Sequence, residues 1–185
     1  MKMLKKLLAI VLTGAMALTL LTACGGNAVN DKNIADALND IVKSSVAAGL
    51  TKDYTFKPRT DEQAMAKAIA ALSEAEWNTK GDGDNKFSGP VMKILELNEG
   101  GKNETSRFVW YGAVFADEIG TAGQAYNVMN NILSKNAVNA DKLEGEPADI
   151  RYIGTALGTM TISGGKQTTV RIIVVTAAAE DPKKT

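Results

Sequence analysis

Two segments of this 185-residue chain are apolar on both of their alternating faces. In Arg107–Ala116, Phe108, Trp110 and Val114 fall on one side and Val109, Tyr111 and Phe115 on the other. The run Ile172-Ile173-Val174-Val175, inside Val170–Ala177, repeats the pattern. A strand without a polar face is stable only when both of its sides are packed. The chain must therefore build a sheet that is covered above and below.

The other segments supply the cover. Asp31 reads as the N-cap of a first helix, with Ile34, Leu38, Ile41, Ser45 and Ala48 at helical spacing, and Gly49-Leu50 as its stop. Thr60-Asp61-Glu62-Gln63 reads as a capping box opening a second helix with the stripe Met65, Ile69, Leu72 and Trp77. Leu50 to Arg59 joins the two as an αα-hairpin, and Pro58 prevents a continuous helix. Residues 79–90 read as a loop and Val91 to Leu97 as a strand. Thr121 and Gln124 form another capping box, opening a third helix with Tyr126, Met129, Ile132 and Leu133. Asp149 to Ser163 is a long strand interrupted by Gly154 and Gly158, and Gly164-Gly165 turns it into the last one. The expected class is α+β: a helical hairpin, then β-β-α-β-β in a four-stranded, largely antiparallel sheet. The third helix packs on one face, and the first two share that face or cover the other. Residues 31–178 are expected to be one domain and 179–185 a polar tail.

The N-terminus carries the clearest functional signal. Lys2, Lys5 and Lys6 precede an apolar stretch from Leu7 to Leu21, followed by Thr22, Ala23 and Cys24. This is the three-part pattern of a secretory signal. The stretch is too short, and too interrupted by Thr13, Gly14 and Thr19, for the roughly 20 apolar residues of a membrane span. Leu21-Thr22-Ala23-Cys24 resembles the lipobox of bacterial lipoproteins. The resemblance implies cleavage between Ala23 and Cys24, acylation of the Cys24 thiol, and residence on a membrane outside the cytoplasm. Residues 1–23 would be the signal, and 24–30 the lipidated cysteine and a short linker.

Composition then narrows the chemistry. Cleavage leaves about 160 residues, enough for one domain with a real core. The three lysines leave with the signal and no acidic residue does, so the remainder has a net charge of about −3, which implies neither nucleic acid nor an acidic bilayer as partner. The chain has no histidine and one cysteine, which removes the commonest general base, the usual zinc ligand and any Ser-His or Cys-His pair. No catalytic residue and no cofactor is assigned.

Five constellations remain. Asp82-Gly83-Asp84-Asn85 has an acidic D-x-D, but lacks a third ligand two residues on; it reads as a turn, and no metal site is assigned. Gly154, Ala156 and Gly158 share one strand face, a strip smooth enough for close packing of the third helix or for a shallow groove. Trp77, Trp110 and Tyr111 could stack on a sugar ring; Trp110 reads as core and Trp77 as partly exposed. Arg107, Arg151 and Arg171 could cluster around an anion if their faces agree. Asn103-Glu104-Thr105 matches a glycosylation sequon, which is uninformative beside a bacterial lipobox.

The expected function is a lipid-anchored extracytoplasmic binding or adaptor module of the cell envelope, not an enzyme. Its expected partners are the membrane, through the lipid on Cys24, and another envelope protein or a peptide. The alternative is a small-ligand or peptide receptor accessory to transport.

Overall fold

A computed structural model describes residues 31–78, 89–97, 106–116 and 119–180. Helix α1 (Asp31–Ala47) is followed by strand β1 (Thr55–Pro58), helix α2 (Thr60–Ala70) and the short helices α3 (Glu74–Trp77) and α4 (Gly89–Ile94). Then come β2 (Arg107–Phe115), α5 (Thr121–Val128) with a π-helical continuation Met129–Leu133, a 3-10 turn at Ala140–Lys142, and the long strands β3 (Glu146–Thr161) and β4 (Gln167–Glu180). The protein is α+β, with a four-stranded sheet in the order β1-β3-β4-β2. Only the β1–β3 pair is parallel; β4 runs antiparallel to both of its neighbours.

Side-chain parity divides the interior into two cores. On β4, Ile173, Val175 and Ala177 join Phe108, Trp110, Ile153 and the apolar stripe of α1 in one core, to which α5 adds Ala125 and Val128. Val170, Ile172 and Val174 point the other way, toward Met65, Ala66 and Ile69 of α2 and Val91 of α4. Successive strand residues face opposite sides, so the doubly apolar pattern of β2 and β4 is the signature of this two-sided cover. The two N-terminal helices are joined through β1 and bury their stripes on opposite sides of the sheet. Gly49, at φ +68°, closes α1, with Leu50 N–H donating to Ser45 O at 2.9 Å.

Two sequence expectations are corrected. Val91 to Leu97 does not supply a strand: Gly89-Pro90 opens α4, since proline suits a first helical turn, and the buried Val91 and Leu95 are four apart. The fourth strand is β1, inside the segment read as a linker. Its Tyr54-Thr55-Phe56 stretch is aromatic and β-branched, and Pro58 ends it on an outer edge, where a missing N–H is tolerated.

Both outer strands are finished by an asparagine. Asn39 of α1 accepts from Phe56 N–H at 2.7 Å and donates to Phe56 O at 3.0 Å. Asn139 accepts from Val109 N–H at 3.0 Å and donates to Arg107 O at 2.9 Å, while Val138 N–H donates to Val109 O. Each amide imitates the next strand, which is one way of blunting a sheet edge.

Gly154 explains how α2 sits so close. A Cβ at this position would overlap the Glu62–Gln63 peptide of α2. The smooth strip on β3 is therefore a packing surface, and its occupant is α2 rather than the expected third helix. That helix packs on the opposite side, where Ile132 lies against Gly112. Gly154→Ala should destabilise the fold by about 3 kcal/mol, at the upper end for overpacking because backbone must move, as measured by urea denaturation. Ile173 is fully buried. Ile173→Asp places an unpaired carboxylate there, at a cost of several kcal/mol against a typical total of roughly 5–15. It should yield an unfolded chain by circular dichroism; a folded variant with unchanged melting would refute the central-strand placement.

Candidate functional site

Polar side chains converge where α1 and α2 begin. Asp31 starts α1, yet its carboxylate serves tertiary structure. Oδ1 accepts from Thr155 N–H at 3.1 Å and Thr155 Oγ1 at 2.6 Å, and Oδ2 accepts from Gln63 Nε2 at 2.8 Å. Thr155 Oγ1 also accepts from Arg171 Nη1 at 2.9 Å, and Arg171 Nε donates to Gln124 Oε1 at 2.7 Å. Gln124 Nε2 donates to Ile119 O at 3.1 Å. Neither expected capping box exists, because both glutamines are engaged here instead. The N-caps of α2 and α5 are Arg59 and Gly120, each without a side-chain cap. A capping box does form between Ser73 and Glu76, at the start of α3.

A second cluster lies on the other side of the sheet. Glu62 is fully buried and paired with Arg59, which donates from Nε at 2.7 Å and from Nη2. Thr176 Oγ1 donates to Glu62 Oε1 at 2.6 Å. The Arg59 guanidinium also lies over the Tyr152 ring, 4.1 Å from its centroid. Burial alone would raise the Glu62 carboxyl. The hydrogen bonds from Arg59 and Thr176 and the Arg59 charge outweigh it and hold the carboxyl below its ordinary value. Between the two clusters opens a cleft of about 270 Å³ lined by Asp31, Lys32, Pro58, Arg59, Thr60 and Gln63.

The three arginines singled out in the sequence do not meet. Arg107 lies on the α2 side of the sheet and pairs with Glu96. Arg151 and Arg171 share the α1 side but stand opposite Ala177 and Leu157, at different ends of the hairpin. Arg171 is consumed by Thr155 and Gln124. Arg151 is held between rings, its Cζ 3.7 Å from the Tyr54 centroid and 5.1 Å from that of Trp110. Its Nε is buried without a hydrogen-bond partner among the described residues. Desolvation lowers its pKa, partly offset by Tyr54 and Asp149.

Two of the aromatic candidates, Trp77 and Trp110, are internal, and Tyr111 is half-buried against the α2-side core. Trp110 is buried and donates from Nε1 to Lys135 O at 3.1 Å. Trp77, expected to be partly exposed, is buried as well, and Tyr111 Oη donates to its carbonyl at 2.8 Å. None of them offers a stacking platform. Leu21 to Cys24, Asp82 to Asn85 and Asn103 to Thr105 lie outside the described residues. Among the described residues no group of three or more His, Cys, Asp or Glu could hold a metal ion, and no helix is long and apolar enough to cross a membrane.

Comparison with protein-family models, with curated proteins and with solved structures finds no match to this chain. Chemistry must therefore be read from the residues alone. The carboxylate oxygens of Asp31 and Glu62 are engaged by fixed donors, which commits both side chains to structure. Sequence reasoning did not anticipate Glu62, Asn39 or Asn139.

A carboxyl with a depressed folded-state pKa contributes stability that is complete above its unfolded value and is lost as pH falls through the folded one. Glu62→Gln should therefore cost about 3 kcal/mol near neutral pH, the scale for breaking a buried pair. The gap between wild type and variant should begin to narrow near pH 4, where the unfolded carboxyl takes up its proton, and close only below the depressed folded-state value. Urea denaturation across that range measures it.

Proposed function

We propose that the chain is a lipid-anchored binding or adaptor module, held through Cys24 on a membrane and facing outside the cytoplasm. The single observation that carries this reading is Leu21-Thr22-Ala23-Cys24 behind an apolar stretch too short to span a bilayer. Two or three acyl chains, each buried methylene contributing about 0.8 kcal/mol, make a stable anchor where one chain would not. The linker Gly25 to Asn30 reaches at most about 20 Å when extended. It leads directly to Asp31, so the ends of α1 and α2 that frame the cleft are the membrane-proximal end of the domain.

Binding rather than catalysis is supported by the absence of histidine and by carboxylates committed to structural hydrogen bonds. The partner is another envelope protein or a peptide. A small-ligand receptor accessory to transport is the second reading, favoured by the cleft between Asp31 and Gln63. At about 270 Å³ that cleft falls just under the usual range for small-molecule sites.

Metabolic labelling with a fatty-acid analogue tests the anchor. Wild type should be labelled and processed between Ala23 and Cys24. Cys24→Ala should be unlabelled and accumulate as the precursor. Equal labelling of both would refute the reading.

A further inference from the structure

The sheet has a third stretch of outer edge, and it is finished differently from the other two. β1 covers β3 only from Ile150 to Ile153. Beyond that, the odd-numbered residues of β3 turn their main-chain groups away from β4. Ile153 O accepts from Arg59 N–H, Thr155 N–H donates to Asp31, and Thr161 N–H donates to Glu74 at 2.9 Å. Between these two carboxylates, the N–H and C=O of Leu157 and Thr159 make no hydrogen bond with any described residue. The Leu157 side chain there is 56 % exposed. The segment Thr155 to Thr161 carries no charge and no proline, so nothing within it discourages strand pairing.

We infer that the Leu157–Thr159 edge of β3 is a docking site for an extended peptide segment with basic side chains at both ends. This deepens the adaptor reading and rests on it. The occupant must be a strand, because what is offered is a row of alternating main-chain donors and acceptors. Charge selects which strand. The window is bracketed by the carboxylate side chains of Asp31 at one end and Glu74 at the other, and Thr161 holds the Glu74 carboxyl below its ordinary range. A second copy is disfavoured for the same reason. Antiparallel self-pairing about Gly158 would use all four open groups, but it sets Thr155 opposite Thr161. Asp31 of one copy would then face Glu74 of the other at both ends. Lysine or arginine at those positions turns the same repulsion into attraction.

Amide hydrogen exchange by NMR on the full chain in detergent micelles tests this. The probe is a short peptide of alternating threonine and valine with a lysine at each end, compared with its glutamate-ended counterpart. The Leu157 and Thr159 amides should exchange freely in the protein alone. They should become protected with the lysine-ended peptide and stay unprotected with the other. Thr159→Pro, tolerated at an exposed edge, should remain folded and bind about tenfold more weakly, the loss expected for one hydrogen bond. Glu74→Gln should narrow the preference between the two peptides, which keeps the test decisive if the proline variant does not fold.

Protection by neither peptide, or by both equally, would overturn the proposal. So would amides already protected in the protein alone: independently of concentration, the chain covers its own edge; rising with concentration, a second copy does. Labelling of Cys24 is read separately, so failure of the edge and failure of the anchor cannot be confused.

Discussion

Everything in this molecule depends on β4 being insoluble by itself. From Val170 to Ala177 every residue is buried, Arg171 and Thr176 included. A strand of that kind in the middle of a sheet leaves no solvent face, so the helices have to be divided between two sides. The division is strict: α1 and α5 take the odd-numbered side chains of β4, and α2 and α4 the even ones. The two polar residues in the run are then explained. Each is buried where a helix of its own side begins, Arg171 against Gln124 and Thr176 against Glu62.

Polar groups in this fold finish structure that the backbone leaves incomplete. Asn39 and Asn139 supply a missing neighbour for the outer strands, and Asp31 and Glu74 do the same at two points of β3. A neutral amide can both donate and accept, so it replaces a strand fully. A carboxylate only accepts, so it satisfies an N–H and leaves the adjacent carbonyl open. That difference separates the two sealed edges from the one that remains partly available.

How much of this was legible beforehand follows from what each residue needed. The α+β class and the sheet's cover on both faces could be read from β2 and β4, because burial on two sides leaves an unbroken apolar run. The stop at Gly49 was legible because a positive φ leaves a residue-type signature. The start of α4 was misread because Val91, Ile94 and Leu95 satisfy a short strand as well as one helical turn, and Gly89-Pro90 was the deciding clue. β1 was overlooked because four residues are too few for a period, and its partner, Arg151, lies far along the chain. The capping boxes failed for another reason. Gln63 and Gln124 have the correct spacing, but tertiary acceptors and donors outcompete a local bond. The arginine and tryptophan candidates needed face and depth, which only the register supplies.

The pairing of β1 also bears on the order of assembly. β3 and β4 meet through a short turn, with Ile162 N–H donating to Lys166 O at 2.9 Å. β1 reaches β3 across about 95 residues, from Phe56 to Arg151, and closing so long a loop costs about 2–3 kcal/mol more than closing the hairpin. The hairpin can therefore form from local contacts, whereas β1 gains partners only when β3 is already extended. Asn39 ties α1 to this late-arriving strand. The N-terminal third of the chain thus completes a template made by residues synthesised after it.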